Sequence, residues 1–344
     1  MKRKISRRNF LEKTAVTAGL SASGAFAVPV NFSQKSPNEN KLPREVWIAS
    51  LSQMGLKAKT SREMIDIVFK LIEDALVYKP DIVCLPEAYP FWGVAKNYDL
   101  KEKIKESAYT LEKASAFCKR NNCYLINPVY TSENGNAYNS AVVFDRKGVR
   151  IGEYRKAHPT EGEISEGIKP GILNPSVFHT DFGIIGVQIC FDIQWEDTWS
   201  AIKDKGAEIV FFPSAFPGGR MVNAKACKYQ YVIVSSTNKH TSKICDISGE
   251  VIGKTGIWTP NLVCAPVNLE KAFLHIWPYV KRFPEICQKY GAKVKITLYH
   301  DEEWAVIESL APEIKVKDIL DEFELRTLGQ HIRDATKAQE NARS

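Results

Sequence analysis

The stretch GIIGVQICFDIQWEDTW, residues 183–199, changes character at one point. Through Cys190 it is a short apolar run suited to a buried strand. From Phe191-Asp192 onward it is polar and carries tryptophan. A helical pattern follows, EDTWSAIKDKG, which ends at Gly206, and then a second apolar run, AEIVFFPSAF. Strand, helix and strand in that order point to an α/β layer architecture. The stretch also sets a thiol at the exit of a buried strand, where ligand sites of α/β sheets lie. Such a cysteine is either core filler or a nucleophile, and the local pattern does not separate the two.

The same logic extends in both directions. Upstream, EVWIASLSQ reads as a strand, and Ile65, Val68, Leu71, Ile72, Ala75 and Leu76 recur at helical spacing. DIVCLPE is a second strand, stopped by Pro86. TLEKASAFCKRNN is a helix and CYLINPVYT a strand. AYNSAVVFDRKGVRIGEYRK reads as two strands joined by a turn around Arg146-Lys147-Gly148. Downstream, AKACKYQYVIVSSTN is a helix leading into a strand, and SKICDISGEVIGKTG a hairpin turning at Ser248-Gly249. No fixed-period repeat is present. The class is α/β with a mixed sheet. Three strand exits stand out: Glu87, Lys156 and Cys190. Each alone passes for a surface charge or a core thiol; together they form a candidate set.

The N-terminus reads as an address rather than as fold. MKRKISRRNFLEKTAVTAGLSASGAFA is basic, then mildly apolar, then rich in small residues, with Ala25-Phe26-Ala27 as a cleavage site. Arg7-Arg8 before Phe10-Leu11 resembles a twin-arginine export signal. The apolar part is too short and polar to span a membrane. Residues 1–27 are expected to be the signal, 28–43 a polar linker, 44–270 the main domain, and 271–344 an extension of one strand and a charged helix. That extension is expected to pack on the domain or on a partner subunit. The expected location is periplasmic or secreted.

Charge and cysteine usage narrow the partners. The net charge is +7, but Lys2, Arg3, Lys4, Arg7, Arg8 and Lys13 outweigh Glu12 within the signal and supply most of it. The remainder is close to neutral, so no nucleic-acid or anionic-membrane partner is implied. The eight cysteines are scattered, with no CxxC and no zinc spacing. Cys118 and Cys123 are the one close pair and the candidate for a disulfide. HDEEW at 300–304 reads as a solvated loop. No metal and no cofactor are expected.

LPEAY, YRKAHPTEGE and ICFD, followed by AEIVFFPSAF, together resemble the nitrilase superfamily of carbon–nitrogen hydrolases, in the family's order from about Arg44 to Gly253. The resemblance implies a four-layer αββα sandwich: two mixed β-sheets flanked by helices, commonly paired into dimers or larger homo-oligomers through a helix beside the nucleophile. It implies a catalytic triad of Glu87, Lys156 and Cys190. A carboxylate takes the thiol proton, the thiolate attacks and forms a thioester, and Lys156 with the Phe191 backbone N–H receives the oxyanion. The lysine cation is also expected to lower the thiol pKa. A second glutamate supports the set. Spacing favours Glu163, with Glu161 and Glu166 as neighbours in contention. Tyr89, Trp92, Asn139, Asp192, Trp195, Ser214 and Ala215 are candidates for the substrate pocket. One departure stands out: where many relatives carry a glutamate in the helix after FPSAF, this chain has lysine and glutamine.

The function implied is hydrolysis of a small linear amide or N-carbamoyl compound. The alternative is a nitrilase acting on a nitrile, although CFD after the strand leans toward amidases. A non-catalytic binding protein on the same fold is the reading from another class.

Overall fold

The computed structural model describes residues 42–258, 260–277 and 279–344. The signal expected over 1–27 and most of the linker expected over 28–43 lie outside the described residues. One six-stranded sheet is built from β1 (Glu45–Leu51), β2 (Ile82–Cys84), β3 (Tyr124–Glu133), β4 (Asn136–Phe144), β5 (Arg150–Arg155) and β12 (Leu262–Asn268), in the order β12-β1-β2-β3-β4-β5. The other holds β6 (Phe178–His179), β7 (Ile184–Val187), β8 (Ile209–Ser214), β9 (Val232–Thr237), β10 (Lys243–Cys245) and β11 (Val251–Lys254), in the order β11-β10-β9-β8-β7-β6. Each sheet has a parallel trio at its centre, β1-β2-β3 in one and β7-β8-β9 in the other, with antiparallel strands on both sides.

The two sheets pack face to face. Ile48, Ile82 and Ile126 of the first meet Ile185, Val187, Phe211 and Val234 of the second in one buried cluster. Helices cover both outer faces. On the first sheet, Val83, Leu85 and Leu125 pack on Met64, Ile65, Val68 and Ile72 of the helix Ser61–Glu73, and on Ala114 and Phe117 of the helix Leu100–Asn121. On the second, Val210, Phe212 and Ile233 pack on Trp199 and Ile202 of the helix Asp197–Asp204, and on Val222 and Ala226 of the helix Gly219–Tyr229. This is the αββα sandwich. Central strands buried on both faces need apolar side chains in both directions, which is why they read as unbroken apolar runs.

Helix starts follow from local chemistry. Asp99 and Glu102 form a capping box: the Glu102 N–H donates to Asp99 Oδ1 at 2.8 Å, and the Asp99 N–H to Glu102 Oε2 at 3.0 Å.

The extension differs from the expected single strand plus helix. It contains β13 (Lys271–His275), β14 (Val294–Tyr299) and β15 (Trp304–Ser309), paired antiparallel in the order β13-β15-β14. Three helices accompany them: Arg282–Tyr290, Val316–Glu322 and Leu328–Arg343. Leu274, Phe283, Ile286, Ile307 and Ile319 form a core of their own, while Phe273 and Val306 join the cluster between the main sheets. The extension therefore packs on its own chain. AKVKITLYHDEEWAVIES is two strands, not one. The bend between them carries no glycine or proline; Glu303 takes the left-handed conformation instead (φ +56), so the usual turn residues do not announce it.

Candidate active site

The site forms where the chain leaves β2, β5, β7 and β8. Glu87 follows β2, and the next residue, Ala88, is left-handed (φ +46). Cys190 follows β7, is itself left-handed (φ +49), and opens the 3₁₀ turn Cys190–Gln194. A side chain in that backbone region costs on the order of 1 kcal/mol, and here the strained residues flank the chemistry. In the turn, the Asp192 N–H reaches the Ile189 carbonyl at 3.0 Å. The Phe191 N–H, one residue earlier, precedes the first hydrogen-bonded N–H of the turn. Lys156 follows β5, and its N–H donates to the Asn139 carbonyl on the adjacent strand β4 at 2.8 Å.

Glu163 is placed by a second capping box. Its N–H donates to Thr160 Oγ1 at 3.3 Å, and the Thr160 N–H donates to Glu163 Oε2 at 2.8 Å. Of the three glutamates in contention, it is Glu163 that reaches Lys156. Glu161 is exposed, and Glu166 pairs with Lys103 at 3.3 Å.

Four side chains close into a ring. Lys156 Nζ donates to Glu87 Oε1 at 2.9 Å and to Glu163 Oε2 at 2.7 Å. Asn139 Nδ2 donates to Glu87 Oε1 at 2.8 Å and to Glu163 Oε1 at 2.7 Å. Glu87 Oε2 accepts the Ala215 N–H at 2.7 Å. Cys190 lies beside this group: its thiol feels the charges of Glu87 and Lys156 and the polar groups of Ser214 and Ala215.

The charges respond to burial and to each other. Burial works against the Lys156 ammonium, but the carboxylate charges of Glu87 and Glu163 more than offset it, and its pKa lies above the ordinary lysine value. Burial works against the Glu163 carboxylate too; Lys156, Asn139 and the Thr160 N–H outweigh it and hold the pKa low. The thiol goes the other way. Burial and the Glu87 charge push Cys190 up to about 12, against the opposing pull of Lys156, Ser214 and Ala215. The expected downward pull of the lysine is present, but burial and the Glu87 charge outweigh it.

Several pocket candidates have other tasks. Asp192 is fully buried and accepts hydrogen bonds from Tyr154 Oη at 2.7 Å, the Ile189 N–H at 2.8 Å and the His158 N–H at 2.8 Å. It braces the turn that carries the nucleophile candidate and is not a pocket wall. Tyr89 is also fully buried, its hydroxyl bonded to Thr110 and Asn127. It is core. Ser214 is buried beside Cys190, and Ala215 acts through its backbone. Asn139 joins the ring of four. Trp92 and Trp195 remain partly open to solvent.

The sequence reading passed over four supporting residues. Asn238 Nδ2 donates to the Glu87 carbonyl at 2.9 Å, and Gln53 Nε2 donates to the carbonyls of Tyr89 and Trp92 at 2.8 and 3.1 Å. His158 stacks on Trp195, with ring centres 4.3 Å apart. Lys225, within the helix Gly219–Tyr229, is buried and donates to the Trp195 carbonyl at 2.7 Å. Asn238 ends the strand motif VIVSSTN, and His158 lies within the Lys156 block. Both were visible as strand-exit residues. Gln53 and Lys225 act on backbone carbonyls, which no spacing rule marks.

Residues 48–272 match the family model described as carbon-nitrogen hydrolase. The chain belongs to the carbon–nitrogen hydrolase family. This hydrolase is 27% identical over 232 residues to a deaminated glutathione amidase of Dictyostelium discoideum, covering 58% of this chain and 79% of that protein. It is 26% identical over 242 residues to an omega-amidase of Xenopus tropicalis, covering 62% and 86%. In fold it is similar to an amidase from Nesterenkonia sp., with a TM-score of 0.59 at 15% identity over 68% of this chain and 94% of that one. A carbon–nitrogen hydrolase from Helicobacter pylori gives 0.57 at 19% identity over 72% and 94%.

Proposed function

We propose that this carbon–nitrogen hydrolase cleaves a small linear amide or N-carbamoyl compound through a thioester on Cys190. The observation that carries the reading is the buried Glu87–Lys156 ion pair at 2.9 Å with the Cys190 thiol close enough to feel both charges. With its pKa near 12 the thiol is protonated at rest, so a base must act during attack. Glu87 takes the proton as sulfur adds to the carbonyl carbon. The oxyanion meets Lys156 and the Phe191 N–H. Glu87 returns the proton to the departing nitrogen, and ammonia or an amine leaves. Water then gives a proton to Glu87 and attacks the thioester, which restores the thiol. Glu163 and Asn139 hold Lys156 and Glu87 in register throughout. The names of the relatives favour an amide over a nitrile, and Trp92 and Trp195 suit a partly apolar substrate.

An ammonia-release screen over amides, N-carbamoyl compounds and nitriles, run beside Cys190→Ala, tests this. Ammonia from the first two classes, lost in the variant, is expected. Ammonia from nitriles alone would replace the reading with a nitrilase. The proposal also includes export and homo-oligomeric pairing. Arg7→Lys with Arg8→Lys is expected to leave the precursor unprocessed inside the cell, and unchanged processing contradicts export. Light scattering is expected to give a dimer or larger assembly; a monomeric mass contradicts pairing.

A further inference from the structure

The long helix Leu100–Asn121 is closed by a left-handed residue, Asn122 (φ +52). The Cys123 N–H then donates back to the Cys118 carbonyl at 3.3 Å. This six-to-one bond is a Schellman closure, which brings the side chains of its two end residues together. Here both are cysteines. Both are fully buried in the layer between the first sheet and its helices, and their thiols interact directly. The closed turn keeps the two backbones near one another, as a bridge requires.

The surroundings make the two thiols unequal. Arg146 caps the same turn, donating from Nη1 to the Asn122 carbonyl at 2.8 Å. The hydrogen bond from Cys118, helped by the charge of Arg146, lowers the pKa of Cys123 against the effect of burial. The same partnership raises Cys118. Cys123, with the Arg146 guanidinium at its turn, is the one placed to carry a thiolate, which leaves Cys118 as the resolving partner. The pair is remote from the ring around Lys156. β2 and β3 run parallel, so Cys123, just before β3, lies at the opposite strand end from Glu87, just after β2.

We propose that Cys118 and Cys123 are a redox modification site that closes to an intrachain disulfide on meeting a low-molecular-weight disulfide. The Cys123 thiolate attacks one sulfur of the oxidant, giving a mixed disulfide and one small thiolate. Cys118 gives up its proton and attacks the Cys123 sulfur, releasing the second small thiol. Two protein thiols are oxidised and one small disulfide is reduced to two thiols. Opening of the last helical turn admits the oxidant, since helix ends open more easily than cores. The bridge ties the end of the helix to the start of β3.

The test uses the full chain, equilibrated in glutathione buffers of decreasing reducing power, quenched in acid, alkylated and digested with trypsin. Lys119 and Arg120 lie between the two cysteines. A bridge therefore joins the peptide Ala114–Lys119 to the peptide Asn121–Arg146. The linked pair, with a loss of two free thiols, is the expected result. Both peptides singly alkylated at every buffer ratio would overturn the proposal. So would glutathione on Cys123 beside a free Cys118, because that is attack without closure. In Cys118→Ser the mixed disulfide at Cys123 is expected to persist; an unmodified Cys123 in the folded variant contradicts its role as the attacking thiol. The map of the unaltered chain stands whether or not the variant folds.

Discussion

Cys84 and Cys190 lie at the ends of apolar runs in the two facing sheets, and they differ in one instructive way. Burial raises both thiols above the ordinary cysteine value, so acidity does not distinguish them. Their neighbours do. Cys84 meets the Ser236 hydroxyl and, at 3.7 Å, the Leu85 carbonyl. Cys190 stands in left-handed backbone and feels the charges of both Glu87 and Lys156. Under the proposed mechanism, Cys190 serves as a nucleophile because a carboxylate and a cation stand beside it, whereas Cys84 has neither.

The sharpest way to break this comparison is to remove each thiol. Cys190→Ala is expected to cut ammonia release by about 10³-fold or more. Cys84→Ala is expected to leave turnover per folded molecule intact while lowering stability by about 1 kcal/mol, read from a thermal melt. Equal losses of turnover would erase the distinction.

Glu87→Gln comes next. Loss of the base is expected to cost roughly 10²- to 10⁴-fold in kcat. It also removes the negative charge that raises Cys190 and leaves Lys156 in place. The midpoint of iodoacetamide alkylation at Cys190 is expected to lie at lower pH than in the unaltered protein, because the Glu87 charge raises this thiol. An upward shift at Cys190 contradicts the assignment.

Glu163→Gln has a smaller expected effect, about 10- to 10²-fold in kcat through misplacement of Lys156. The sign of its pH effect follows from the charges. Carboxylates hold the Lys156 pKa up, so removing one lowers it, and the alkaline limb of the rate profile moves to lower pH. A limb that stays in place argues that Lys156 does not govern it.

Much of this arrangement was legible in the sequence, and the exceptions share a cause. Apolar runs identified the central strands because burial on both faces demands them. The turn at Arg146-Lys147-Gly148 and the hairpin at Ser248-Gly249 carried turn residues. Glu163 was legible by its spacing from Lys156, and the Thr160-x-x-Glu163 capping box found in the structure adds a second signal the sequence carried. Asp192 and Tyr89 were misread because nothing in a periodicity says where a side chain points once the strand has ended; both turn inward to satisfy buried partners. The three-stranded extension was missed for a related reason, a bend at His300–Glu303 built from charged residues.

The smallest expected effect concerns Asp192. Asp192→Asn is expected to cost about 1–3 kcal/mol of stability, since it weakens the bonds to Ile189, His158 and Tyr154, and to leave KM unchanged. A raised KM with an unaltered melting temperature would return Asp192 to the pocket.

The central claim is that Cys190 carries the acyl group. The most direct measurement is mass mapping of the enzyme quenched in acid during steady-state turnover of an amide substrate. The account predicts the acyl mass on the tryptic peptide that contains Cys190 and its absence from Cys190→Ala. An acyl group on another residue, or a Cys190→Ala enzyme that turns over at the unaltered rate, contradicts it.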